Sequence, residues 1–151
     1  MKAVIQRVTS ADVKVDGQVK GSVGQGFMIL FGAGHGDTAE EADWLAHKTA
    51  NMRIFSDENG KMNLSIKDVG GSALVVSQFT LYADCRRGNR PSFTDACEPE
   101  KADELYEYFC DALRAEGVTD IQKGVFGADM KVSLVNDGPV TIILERDHRA
   151  E

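Results

Sequence analysis

Two short stretches carry residue types suited to chemistry: Ser77-Gln78-Phe79-Thr80 and Asn136-Asp137-Gly138-Pro139. The first stands where an apolar run, Ala73-Leu74-Val75-Val76, ends. Backbone N–H groups freed at a strand end can hold a developing oxyanion, with hydroxyl and amide side chains to orient a polar substrate. A strand end closed by its own side-chain hydrogen bonds has the same spacing. Thr80 has no histidine or lysine beside it in sequence to activate its hydroxyl. The second stretch joins two apolar-alternating segments, 131–135 and 140–145, and its types read as a hairpin turn. Asn, Asp and Gly accept positive φ, and Pro removes a donor. A Gly-Pro bond can also be cis, which would aim two carbonyl groups the same way.

Other patterns compete with these two. Arg86, Arg87 and Arg90 form the densest positive cluster, suited either to nucleic-acid phosphate or to a solvated loop, and the nearby Phe93 can stack on a base or pack. Gly32-Ala33-Gly34-His35-Gly36-Asp37 follows a strand and precedes a helix, as a dinucleotide loop does. Asp37, however, stands where that fingerprint needs glycine, and a carboxylate there opposes a pyrophosphate. A glycine loop ending in a helix cap is the favoured reading. Cys85, with arginines after it, has the start of a cysteine phosphatase loop, but Pro91 occupies the position that needs arginine. His35, His47 and His148 show no metal spacing.

These residues need a scaffold, and the bulk properties say which kind. A chain of 151 residues suits one domain with a sizeable core, and 42% hydrophobic with 27% charged residues is an ordinary globular balance. Seventeen basic against 24 acidic side chains give 17 − 24 = −7, which leaves room for only a local basic contact with nucleic acid. Cys85, Cys97 and Cys110 are odd in number with no Cys-x-x-Cys pair, so a disulfide framework or zinc ribbon is not expected and a reducing cytosol fits. The N-terminus lacks the apolar core of a signal peptide, and no apolar run has the length of a membrane span. A soluble, cytoplasmic protein is expected.

In chain order, alternation predicts a strand over 2–9, and Asp16-Gly17 between Val15 and Val19 is a two-residue hairpin signal. The run Phe27-Met28-Ile29-Leu30-Phe31 predicts a strand buried on both faces. Thr38 and Glu41 have capping-box spacing at the start of a helix reaching about Met52. A short strand over 54–56, a turn over 57–60 and a polar surface loop over 61–72 follow. Residues 73–76 form another buried strand, and residues 83–97 are irregular. Pro99 opens a second helix with its apolar stripe at Ala102, Leu105, Tyr106, Phe109, Cys110 and Leu113, stopped by Gly117. Strands over 121–123, 131–135 and 140–145 end the chain, with a frayed tail over 146–151. The expected fold class is α/β: a single domain over 1–151 with a mixed sheet, barrel-like in its layers, and two main helices.

The long motifs together resemble the D-aminoacyl-tRNA deacylase family. They are Ala3-Val4-Ile5-Gln6-Arg7-Val8, Ser77-Gln78-Phe79-Thr80-Leu81-Tyr82 and Asn136-Asp137-Gly138-Pro139-Val140-Thr141, with Gly124-Val125-Phe126-Gly127-Ala128-Asp129-Met130 resembling that family's adenosine-pocket segment. The resemblance covers essentially the whole chain. It implies a homodimer that hydrolyses the ester between a D-amino acid, or glycine mischarged on tRNA-Ala, and the 3′ end of tRNA. It implies no metal and no organic cofactor, and neither DNA nor membrane as partner. By the same resemblance Ser77, Gln78, Phe79 and Thr80 form the reacting pocket. Gly138 and Pro139 form a cis pair that enters the partner subunit's pocket and excludes an L side chain. Phe126 and Met130 hold the terminal adenine, Arg7 supports the pocket, and Arg86, Arg87 and Arg90 meet the tRNA backbone. Two other readings stay open: an RNA-binding module without catalysis, and a cysteine-dependent hydrolase built on Cys85.

Overall fold

The computed structural model describes residues 1–148; residues 149–151 of the expected frayed tail lie outside the described residues. One long strand, β1 (Lys2–Val15), is the axis of the sheet. It extends beyond the expected 2–9 because Asp16 (φ 50°) and Gly17 (φ 78°) both take positive φ and close a tight hairpin to β2 (Gln18–Val23). Residues 2–8 of β1 also pair antiparallel with β3 (Gly26–Gly32). Its opposite edge pairs along nearly its whole length with the last strand, Lys131–Glu145. Strand β3 runs parallel to Ser72–Ser77, which runs parallel to Ile121–Lys123. In chain order these later strands are β6 (Ser72–Ser77), β7 (Ile121–Lys123) and β8 (Lys131–Glu145), after a small hairpin of β4 (Phe55–Ser56) and β5 (Met62–Leu64).

Both faces of β3 and β6 are covered, which accounts for their continuous apolar runs. Phe27, Ile29 and Phe31 of β3 and Ala73 and Val75 of β6 face a core shared with the helices α1 (Ala39–Asn51) and α2 (Pro99–Ala115). The alternate residues Met28, Leu74 and Val76 face a second core with Val8, Ala11, Val13 and Val23. That second core is the inside of a nearly closed barrel. Strand β2 folds back over β6 and β7 so tightly that a Cβ on Gly21 would come within 2.9 Å of the Lys123 carbonyl. Parallel pairs such as β3–β6 need covered faces, and period-two alternation disappears where both faces are apolar.

Expectations for two loops also change. Residues 61–72 are not a surface loop throughout, since β5 pairs with β4 and Ile66 is fully buried in the helix-side core. A single buried apolar residue in a polar segment leaves no periodic trace. The Asn136-Asp137-Gly138-Pro139 stretch is not a hairpin turn either. Strand β8 is continuous through it, and between Gln6 and Ser10, four residues of β1, β8 advances six, from Thr141 to Val135. The stretch is therefore a bulge on a long strand.

The helix start follows the expected capping box. The Glu41 carboxylate accepts from the Thr38 N–H at 2.9 Å and from its hydroxyl at 2.6 Å, and His148 Nδ1 lies 2.6 Å from the other oxygen. The Arg146 N–H also donates to the Met1 carbonyl, so residues 146–148 are tied down rather than frayed. Burial alone would raise the Glu41 pKa, but the bonds from Thr38, joined by His148, outweigh it and bring it from 4.5 to about 2. A depressed carboxylate pKa stabilises the fold above the unfolded value, and that stability is lost as pH falls through the folded one. Melting temperature is accordingly expected to drop between pH 4.5 and about 2. Glu41→Gln should flatten that part of the curve, and thermal melts at stepped pH would read it.

Candidate active site

Parallel strands β3 and β6 end level, with Phe31 opposite Ser77, and the Gln78 N–H adds one more bond to the Phe31 carbonyl at 2.7 Å. The chain then turns into a 3-10 helix, Phe79–Tyr82. Gly32 makes room for this turn, because a Cβ there would lie 3.0 Å from the Gln78 carbonyl oxygen. Turning so sharply at a strand end leaves the Phe79 and Thr80 N–H groups without an acceptor among the described residues. The Gln78 side-chain amide donates to the Thr80 hydroxyl oxygen. An amide is not a base, so Thr80 is oriented but not activated.

Beside this turn lies a cleft of about 820 Å³. Ser77, Gln78 and Phe79 form one wall, and Phe126, Met130 and Val132 the other. Phe79 is 55% exposed and stands edge-on to Phe93, with ring centroids 5.1 Å apart. Phe126 is backed by Tyr106, whose hydroxyl donates to the Val75 carbonyl at 2.6 Å. The sulfur of Met130 folds over Gly124, where a Cβ would come within 2.7 Å of it. The structure thus brings Ser77, Gln78, Phe79, Phe126 and Met130 around one apolar cavity, with Thr80 next to its edge.

His35, at the rim, was passed over because no histidine spacing suggested a role. Its ring meets the Thr94 carbonyl at 2.7 Å and its backbone N–H donates to the Asp95 carbonyl, which fixes the irregular 83–97 segment, Phe93 included, against the glycine loop. Asp37, which argued against a dinucleotide, is a buried anchor for that loop: it accepts from the Gly34 N–H at 2.7 Å and lies 2.7 Å from the Met1 amino group.

Gly138, Pro139 and Arg7 are elsewhere in the same chain. Arg7 pairs with Phe27, four residues before Phe31 on β3, which is roughly 13 Å along the strand. Arg7 is buried, and its guanidinium donates to the Asp137 carbonyl at 2.9 Å and the Ile54 carbonyl at 2.5 Å. The Gly138–Pro139 peptide is cis, and Gly138 has φ 138°.

The arginine cluster is not uniform. Arg86 clamps Asp84 through two 2.9 Å bonds, and these hold the Asp84 carboxyl down at about 2. Arg87 and Arg90 are exposed and pair with no carboxylate among the described residues. The cysteines make poor nucleophiles or lie apart. Burial pushes the thiol of Cys97, on the cleft wall, upwards, and that of Cys110, in the core, to about 12. Cys85 is exposed and does not line the cleft. Among the described residues, no three His, Cys, Asp or Glu side chains gather in a metal-binding group, and no helix is long and apolar enough to cross a membrane.

Comparison with known proteins completes the description. A family model described as D-Tyr-tRNA(Tyr) deacylase matches residues 4–145. D-aminoacyl-tRNA deacylase of Pelobacter propionicus is 58% identical over 97% of this chain and 100% of its own length. That of Thermomicrobium roseum is 59% identical, over 96% of this chain and 94% of its own. Among solved structures, one named c-Myc DNA Unwinding Element Binding Protein superposes with a TM-score of 0.92 at 42% identity, covering 98% of this chain and all of that one. A probable eukaryotic D-amino acid tRNA deacylase shares the fold at 17% identity, with a TM-score of 0.79 over 95% of this chain and 97% of its own.

The nearly closed mixed sheet and its cleft, set beside these relatives, define a hydrolase that acts on ester bonds. The chain belongs to the D-Tyr-tRNA(Tyr) deacylase family, and its function is D-aminoacyl-tRNA deacylation.

Proposed function

We propose that the active unit is a cytoplasmic homodimer in which each subunit's Gly138–Pro139 bulge closes the cleft of the other. One observation carries this reading: the oxyanion-type turn at Phe79–Thr80 follows the far end of β3 and β6, whereas the Gly138–Pro139 bulge lies beside Arg7, level with Phe27 and roughly 13 Å back along β3 in the same chain. A second copy related by a two-fold axis brings them together and makes two identical sites. Strand β8 supports it. Among the described residues it pairs with β1 alone, and Val135 and Ile143, on either side of the bulge, are 56% and 63% exposed. A long edge strand that presents two exposed apolar side chains suits association with its own kind.

In this reading Phe126 and Met130 receive the terminal adenine, which sets the ester carbonyl beside the Phe79 and Thr80 N–H groups. Water attacks the carbonyl carbon, and the two N–H groups hold the oxyanion. The bond from that carbon to the ribose 3′-oxygen then breaks, and the departing oxygen takes a proton. The neighbouring 2′-OH relays it. Main-chain atoms of Gly138 and Pro139 face the substrate Cα, where a D residue presents hydrogen and an L residue its side chain. A filter made of main chain does not read the side chain, so many D-amino acids pass and glycine mischarged on tRNA-Ala passes with them. Arg87 and Arg90, with Arg86, contact the acceptor-end phosphates, a small footprint suited to a chain of net charge −7.

The experiment compares Thr80→Val on ordinary D-Tyr-tRNA with the unchanged protein on D-Tyr-tRNA lacking the terminal 2′-OH. The variant is expected to stay within about fivefold of full rate, and the deoxy substrate to lose roughly a hundredfold, the scale of a displaced proton-transfer group. The opposite pattern would make Thr80 the reacting group.

A further inference from the structure

Where β8 bulges it cannot keep its ladder with β1, and one side chain takes the place of the missing bonds. The Asn136 Oδ1 accepts from the Val140 N–H at 2.6 Å. The Asn136 Nδ2 lies 3.2 Å from the Val140 carbonyl oxygen, 3.0 Å from Gln6 Oε1 and 3.2 Å from Thr141 Oγ1. The amide therefore joins the two ends of the Asp137-Gly138-Pro139 bulge and anchors them to β1. Val140 is also what packs against Gly138, since a Cβ on Gly138 would lie 3.1 Å from the Val140 nitrogen and 2.8 Å from its Cγ2. The chain of contact runs from Asn136 through Val140 to Gly138.

We infer that Asn136 is a positioning residue for enantiomer rejection: it sets the height of the Gly138–Pro139 main chain, and so how much room remains beside the substrate Cα. This rests on the dimeric reading above. Arg7 restrains the Asp137 carbonyl at the start of the bulge, and Asn136 restrains the end that follows Pro139. Only a carboxamide does this, because the position needs an acceptor for the Val140 N–H and donors for Gln6 and the Val140 carbonyl at once. Aspartate keeps the acceptor but sets its charge against two oxygens. Alanine leaves the Val140 N–H unpaired, and a misplacement of less than an ångström in a filter built on contact is enough to admit the wrong enantiomer.

The test measures kcat/KM on D-Tyr-tRNA and L-Tyr-tRNA for the full-length protein and for Asn136→Ala, Asn136→Asp and Gln6→Ala. Melting temperature is followed alongside. Asn136→Ala is expected to erode the preference for D over L by roughly tenfold or more. Asn136→Asp and Gln6→Ala should show smaller losses in the same direction, with a cooperative melt retained. A simple structural defect would lower both rates together and leave their ratio intact, and that result overturns the inference. If Asn136→Ala does not fold, Gln6→Ala decides, because it removes only the anchor of the amide. A Gly138→Val arm separates the two levels. If Gly138→Val leaves the D rate unchanged, the dimeric reading itself fails. If Gly138→Val abolishes that rate while the Asn136 variants keep the full D-over-L ratio, only this inference fails.

Discussion

Gly138→Val is expected to lose at least roughly a hundredfold in kcat/KM on D-Tyr-tRNA, the scale on which a displaced positioning group costs rate. Two independent obstacles meet at this residue. At φ 138° the backbone is in a region that L side chains rarely adopt, and a β-branched side chain adopts it least readily. A Cβ would also lie 3.2 Å from Arg7 Nη2 and 3.1 Å from the Val140 main-chain nitrogen, neither of which is free to move. The Arg7 guanidinium is fixed by two carbonyl groups and the Val140 nitrogen by Asn136. The strain therefore goes into the bulge, which in the dimeric reading faces the substrate. The effect should fall on deacylation rather than on folding, because the bulge lies on an exposed strand and contributes nothing to either core. Initial rates on D-Tyr-tRNA with a parallel melt distinguish the two, and a variant with full activity would remove Gly138 from the site.

Mixing two crippled chains should restore activity that neither has alone. Gly138→Val spoils what a subunit gives to its partner, while Ala128→Trp fills the cleft that a subunit keeps for itself. In a mixed dimer, one of the two sites has both defects and the other has neither. After equal mixing and exchange, half of the dimers are mixed, so about a quarter of the wild-type sites return. A site completed within one chain would recover nothing. The readout is deacylation of D-Tyr-tRNA before and after subunit exchange, and a flat result rules out the shared site.

The sequence made different parts of this protein legible for different physical reasons. Helix α1 was plain because its signals are local: Thr38 and Glu41 bond to each other, and the apolar face repeats at helical spacing. The hairpin at Asp16-Gly17 was equally local. Strands β3 and β6 were recognisable from apolar runs that only two-sided burial explains. Ile66 was not, because its burial depends on where distant helices end up. The bulge was misread as a turn because Asn-Asp-Gly-Pro satisfies both geometries. What decides between them is β1, more than a hundred residues away, which pairs with β8 on either side. The cleft residues around Ser77 and Phe126 came from motif resemblance, and folding then brought them together. That Gly138 and Arg7 lie away from this cleft was not visible in any local pattern, since it follows from the register of β1 on β3 and of β3 on β6.

The torsion at Gly138 has a last consequence. A φ of 138° has the sign opposite to that of an extended strand residue, so at this position a ribosomal chain of L-amino acids takes a torsion that suits the opposite hand. Glycine manages this because it has no hand of its own. If a chiral residue were to stand there, the torsion favours D-alanine over L-alanine, a replacement open to chemical synthesis but not to the genetic code. The surface proposed to sort the two hands of an amino acid thus hinges on a residue whose only encoded form has neither.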